Sequence, residues 1–173
     1  INFYKRVLGL IEKYNYQGRT IKNSIQTNGT LINEEWCKFF EENYFKVSVS
    51  LDGPAFLHDS NRVGWDNRST FERVMKGVNC LRKYNIPLTA ICVVTERTLD
   101  YPDELLAFFL NEGFTRLGLI IEDVLGENIK SSLSNADNNF LYVKSKYEKF
   151  ISCLFKAWLP HKDEIYIREI VEA

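Results

Sequence analysis

No run of apolar residues in this chain approaches the roughly 20 that a membrane-spanning helix needs, so no place within a bilayer is expected. Charge of either sign is not in surplus. Twenty-two basic side chains against 23 acidic ones leave a net charge of −1, which removes the electrostatic case for binding nucleic acid or an anionic membrane surface. No secretory leader opens the chain, and a cytoplasmic protein is expected. The four cysteines, Cys37, Cys80, Cys92 and Cys153, stand far apart, with no CxxC, CxxxCxxC or Cys/His ligand spacing. Each falls within a helical or strand pattern. Small buried hydrophobes in a reducing compartment account for them best, and nothing in the spacing supports a disulfide. Low-complexity segments and clear linkers are lacking too. Ile1 stands inside a helical pattern where a native chain would begin with Met, and residues 165–173 form a β-rich amphipathic stretch that stops without a polar tail. Further residues of the same polypeptide are therefore expected in front.

What is present is alternation. At 173 residues the chain is long enough for one domain with a core. Phe3, Val7, Leu10, Ile11 and Tyr14 recur at helical spacing, with Gly18 as a stop. Residues 20–26 read as a strand closed by Asn28-Gly29, and Asn33 is suited to cap a helix bearing Trp36, Phe39 and Phe40. Residues 45–50 are a second strand, ending in Asp52-Gly53-Pro54, and residues 55–68 read as a long polar stretch. Ser69 and Glu72 fit a capping box before a helix with Phe71, Val74, Val78 and Leu81 on one side. Strand-like residues 88–95, a helix opened by Pro102 and ended by Gly113, and a strand at residues 117–121 follow. A polar loop over residues 122–138 precedes one long amphipathic helix from Phe140 to Trp158. Repeated βα units predict a parallel sheet with helices outside, either open or part of a barrel, since four strands are too few to close one.

In such architectures ligands sit beyond the carboxyl ends of the strands. That rule selects Gln26-Thr27-Asn28-Gly29, Ser50-Leu51-Asp52-Gly53-Pro54, Thr95-Glu96-Arg97 and Glu122-Asp123, with residues 55–68 on the same rim. Taken singly, each has a plainer explanation. Asn28-Gly29 can be a simple turn, Arg62 a solvated charge, and His58-Asp59 a local hydrogen bond, there being no nucleophile motif beside it. Glu122 and Asp123 are only two adjacent acids.

Taken together, Ser24-Ile25-Gln26-Thr27-Asn28-Gly29-Thr30-Leu31, Trp36-Cys37, Val49-Ser50-Leu51-Asp52-Gly53-Pro54, His58-Asp59 and Arg62 resemble the anaerobic sulfatase-maturase group of radical S-adenosylmethionine enzymes. Ser69-Thr70-Phe71-Glu72-Arg73-Val74 and Val93-Val94-Thr95 continue the likeness, which covers about residues 1 to 122. A looser similarity to the peptide-maturase branch, which includes enzymes that crosslink peptide side chains, rests on Ile167-Arg168-Glu169 and on residues 122–128.

The resemblance implies an α/β fold, a partial (β/α) barrel. Its strands would be the third to sixth of a six-stranded core over residues 1–122, with residues 123–173 as a C-terminal loop, long helix and the start of a further segment. It implies S-adenosylmethionine and a 4Fe-4S cluster as cofactors, the cluster's CxxxCxxC loop lying before Ile1, and a peptide or protein substrate. It assigns Ser50 and Arg62 to the methionine carboxylate of the cofactor, the planar fork of Arg62 suiting such a partner. Gln26, Thr27 and Asn28 would line the rim, and Asp52 would fix the turn that presents Ser50. The chain alone is then expected to be inactive. Two other expectations stand beside this one: a noncatalytic peptide-binding module built on the barrel edge, and a metal-dependent barrel using Glu122 and Asp123.

Overall fold

A computed structural model describes residues 1–122, 131–133 and 140–172, the side chains of residues 140 and 141 excepted. The elements run α1 (Asn2–Tyr14), β1 (Ser24–Thr27), α2 (Glu34–Glu42), β2 (Lys46–Ser50), α3 (Ala55–Asn61), α4 (Phe71–Lys83), β3 (Thr89–Val94), α5 (Pro102–Asn111), β4 (Arg116–Ile121), α6 (Phe140–Trp158), β5 (Tyr166–Ile167) and α7 (Arg168–Val171). The five strands form one sheet in the order β1-β2-β3-β4-β5, every pair parallel. Strictly sequential order with right-handed crossovers places successive helices on the same face, so the sheet is the wall of an unclosed barrel.

Side-chain alternation sorts the two faces. Val47, Val49, Ala90, Cys92, Val94, Leu117 and Leu119 are buried against the helices. Their helical partners are apolar residues at helical spacing, such as Val74, Val78 and Leu81 on α4 and Leu105, Leu106 and Phe109 on α5. The register aligns Gln26 with Ser48, Ser50 with Ile91 and Ile91 with Gly118 on the opposite face. That face carries small and polar groups. Gly118 has no side chain there because Ile91 and the guanidinium of Arg168 occupy the space, a Cβ meeting them at 3.0 and 3.5 Å.

Several boundaries follow the sequence patterns closely. Asn33 caps α2 by accepting from Trp36 N at 3.0 Å, Pro102 opens α5, and Gly113 follows it with φ 69°. Three features differ. Residues 55–68 are not a continuous loop: α3 forms directly after Gly53-Pro54, and a bridge between Val63 and Ser69 closes a small hairpin. Only Leu57 and His58 of α3 are buried, so its polar composition hid it. The capping box is replaced by a tertiary cap. Asp59 of α3 accepts from both Thr70 N and Phe71 N at 3.1 Å and from Ser69 Oγ at 2.6 Å, taking the role expected of Ser69 and Glu72.

The tail is the third difference. Trp158 Nε1 donates to Ile165 O at 2.7 Å and turns the chain back, so that Tyr166 and Ile167 pair with Arg116 and Leu117. After two residues the strand gives way to α7, and the Glu169 carboxylate accepts from Leu119 N at 2.7 Å, where a strand carbonyl would otherwise serve. At the other end of the sheet, α2 and α4 pack together, and Cys37 Sγ lies 3.3 Å from Cys80 Sγ. Gly77 of α4 sits so near the turn after β1 that a Cβ would stand 2.3 Å from Gly29 O.

Candidate functional site

Parallel pairing puts the carboxyl ends of β1, β2 and β3 side by side, and the polar residues singled out in the sequence gather there. Ser50 ends β2 and is almost wholly buried. Gln26 Nε2 donates to Ser50 Oγ at 3.2 Å. With its oxygen serving as acceptor to Gln26, the Ser50 hydroxyl keeps its own proton for another acceptor.

Two residues on, the buried Asp52 carboxylate binds three donors. It accepts from Arg62 Nε at 2.8 Å through Oδ2, and from Arg62 Nη2 at 3.0 Å and Val93 N at 2.9 Å through Oδ1. Leu51 N has already bonded Ile91 O, so the carboxylate supplies the next acceptor of the β2–β3 ladder beyond the end of the strand. The same group grips Arg62, the residue that ends α3, in a two-point pair. The Arg62 side chain remains 29% exposed, and the Nη1 side of its fork makes no hydrogen bond among the described residues.

His58 holds this arrangement from beneath. Thr70 Oγ1 donates to Arg62 O at 2.7 Å, so it accepts from His58 Nε2 at 3.0 Å. Nδ1 is then the bare nitrogen facing Asp52 N, at 3.4 Å. A neutral Nε2–H tautomer satisfies every partner. Burial lowers the His58 pKa, and the Arg62 charge adds to that, against the opposing pull of Asp52 and Asp59. His58 and Asp59 are thus not partners of each other: one faces the Asp52–Arg62 pair and the other caps α4.

Thr27 and Asn28 are drawn into their own turn. Thr27 Oγ1 accepts from Gly29 N at 3.2 Å, and Asn28 Oδ1 accepts from Thr30 N at 3.2 Å and Thr30 Oγ1 at 3.0 Å. Gly29 takes φ 76°, a left-handed conformation that favours glycine. A polar groove of 420 Å³ lies beside this turn, lined by Asn28, Thr30, Thr70 and Arg73 together with the fully exposed Trp65. Gln26 and Ser50 therefore form one pair and Asp52 and Arg62 another, joined through two peptide bonds of the β2 end, with the turn of Thr27 and Asn28 alongside. Sequence reading missed Thr70 and the anchoring roles of His58 and Asp59. A threonine two residues ahead of Glu72 carries no signal of a partner twelve residues earlier.

Metal-ligand chemistry fits the described residues poorly. No group of three or more His, Cys, Asp or Glu side chains converges among them. Glu122 instead accepts from Ser131 Oγ and Ser132 N, at 3.1 and 2.6 Å, and Asp123, like most of residues 122–128, lies outside the described residues. The cysteines do not assemble an iron–sulfur site either: Cys37 meets Cys80, Cys92 is buried under the helices, and Cys153 lies on α6. Burial pushes the Cys37 thiol up to about 12, with the Cys80 contact adding to it, and burial also pushes Cys92 well above its ordinary value. Both shifts oppose the thiolate form that ligation requires.

The chain is similar to known proteins over most of its length. The chain is 33% identical over 168 residues to the serine-type anaerobic sulfatase-maturating enzyme of Bacteroides thetaiotaomicron, covering 92% of this chain and 40% of that protein. It is 34% identical over 160 residues to the cysteine-type anaerobic sulfatase-maturating enzyme of Clostridium perfringens, covering 91% of this chain and 41% of that one. A solved structure of anSMEcpe with bound AdoMet and Kp18Cys peptide matches with a TM-score of 0.84 at 32% identity, over 97% of this chain and 46% of that one. The chain thus spans less than half the length of these relatives. The Radical SAM superfamily model matches residues 1–109, well over half of the sequence, and the chain belongs to that superfamily.

Proposed function

We propose that this chain forms part of a radical S-adenosylmethionine maturase that modifies or crosslinks side chains of a peptide or protein. The observation that carries this reading is the pairing at the end of β2: a buried Asp52 that orients Arg62 while leaving one side of its fork free, next to a Ser50 whose proton is available. A zwitterionic amino-acid end needs a fixed cation and a hydroxyl donor for its carboxylate, and these two groups supply them. Gln26 is the positioning residue for the Ser50 hydroxyl, and His58 and Thr70 are those for Arg62. When bound with its cluster, S-adenosylmethionine supplies the 5′-deoxyadenosyl radical chemistry. The tasks of this chain are to bind and orient the cofactor and to exclude water.

The cysteines present do not suit the cluster, so its ligands come from a segment outside residues 1–173. A peptide substrate is supported by the likeness to the sulfatase-maturating enzymes and to the structure carrying a bound peptide. The groove beside Asn28 and Trp65, next to the turn after β1, is the place we assign to it.

The test uses the longer polypeptide that contains this chain, reconstituted anaerobically with iron and sulfide. It should form 5′-deoxyadenosine from S-adenosylmethionine in the presence of reductant. Arg62→Ala should weaken cofactor binding by about tenfold or more, the loss of a charge-assisted contact, while far-ultraviolet circular dichroism stays unchanged. Unaltered affinity in a folded variant removes Arg62 from the site.

A further inference from the structure

The contact between Cys37 and Cys80 has no part in the site just described, and it brings two reactive groups together across a helix–helix interface. Both are free thiols, Cys37 donating to Cys80 at 3.3 Å. Cys37 is sealed from solvent and Cys80 is partly exposed. A thiol–thiol hydrogen bond holds two helices only weakly. A covalent bond forms at about 2.05 Å, so the sulfurs need to approach by roughly 1.3 Å. No other pair of cysteines makes a sulfur contact among the described residues.

We propose that Cys37 and Cys80 are an oxidisable dithiol that ties α2 to α4, with a low-molecular-weight disulfide such as oxidised glutathione as co-reactant. The exposed member reacts first. Cys80 loses its proton to solvent, and its thiolate attacks one sulfur of the reagent, expelling one glutathione thiolate and leaving a mixed disulfide. Cys37 then loses its proton and attacks the Cys80 sulfur, which expels the second glutathione. Two protein thiols are oxidised by two electrons to one disulfide, and one glutathione disulfide is reduced to two thiols. Burial of Cys37 disfavours its thiolate, so closure is the slow step and accelerates as pH rises. The new bond also reaches the strand ends. Gly77 of α4 presses on the Gly29 carbonyl, so fixing α4 to α2 braces the turn that carries Asn28.

The test incubates the folded chain with excess oxidised glutathione without denaturant, then alkylates it in denaturant and maps it by mass spectrometry. The expected product has lost two of its four thiols and about 2 Da, with one peptide link joining Cys37 to Cys80, and it melts at a higher temperature than the reduced chain. Cys37→Ala should stop at glutathione on Cys80. Cys80→Ser, altered at the partly exposed position, should keep Cys37 reduced and serves as the control if Cys37→Ala does not fold. A wild-type chain that stops at a stable mixed disulfide, that bridges through Cys92 or Cys153, or that keeps all four thiols overturns the proposal.

Discussion

Asp52 and Arg62 are joined at two points, Oδ2 to Nε at 2.8 Å and Oδ1 to Nη2 at 3.0 Å, with the carboxylate buried and the guanidinium partly open. The pair does more than neutralise charge. Oδ1 also receives Val93 N, so one carboxylate ties the ends of β2 and β3 to the end of α3.

Replacing Asp52 should therefore cost more than an exposed ion pair. Asp52→Ala leaves Val93 N and one face of Arg62 without acceptors and should lower stability by about 2–3 kcal/mol. Asp52→Asn retains an oxygen for Val93 N and should lose about half as much. Urea unfolding of the two variants checks the order; equal losses would mean that the Val93 contact contributes nothing.

The cap of α4 makes an opposed pair of expectations. Asp59→Ala should destabilise the protein by about 1–2 kcal/mol, because two amide donors at the helix start lose their acceptor. Glu72→Ala, which removes the acid of the sequence-level capping box, should stay within about 0.5 kcal/mol of the parent. Thermal unfolding of both variants separates a tertiary cap from a local one.

His58 gives the fold a pH dependence of known sign. Its folded pKa lies below the ordinary 6.5, chiefly because burial disfavours the cation. Between the folded pKa and 6.5 the unfolded chain binds more protons than the folded one, so stability is full above 6.5 and falls as pH drops through that window. Protonation would also place a hydrogen on Nδ1, facing Asp52 N. His58→Asn keeps an acceptor toward Asp52 N but does not titrate. Denaturant midpoints at about pH 5.5 and about pH 7.5 should differ less for this variant than for the parent.

Two glycines in helices should respond in opposite directions. Gly77→Ala puts a methyl group 2.3 Å from Gly29 O and should destabilise by about 3 kcal/mol, through displacement of either α4 or the turn. Gly9 of α1 has open space around it, and Gly9→Ala should stabilise by up to about 1 kcal/mol. Melting temperatures of the two variants provide the comparison.

Much of this architecture was legible in the sequence because the elements are strongly patterned. The β-branched run before Thr95, the N-cap at Asn33, Pro102 at a helix start and the apolar period through Trp158 each write a local rule that the structure obeys. The rim residues were legible because the carboxyl ends of parallel strands lie together wherever such a sheet forms. What stayed hidden depends on partners distant along the chain. A polar helix of two buried residues does not differ from a loop by period, and a cap supplied by Asp59 cannot be told from one supplied by Ser69 without the packing of α3 on α4. The Cys37–Cys80 contact joins residues 43 positions apart and belongs to the same class.

Two carboxylates, Asp52 on Val93 N and Glu169 on Leu119 N, stand in for peptide carbonyls at the margins of the sheet. A side-chain oxygen reaches its donor from a flexible arm, so the main chains on either side are released from the fixed separation that a continuous ladder imposes. Each substitution lets one backbone veer away as soon as the shared edge ends without stranding a buried amide. The chain can therefore turn out of the ladder after β2 into α3 and after β5 into α7 while the amides of Val93 and Leu119 stay paired.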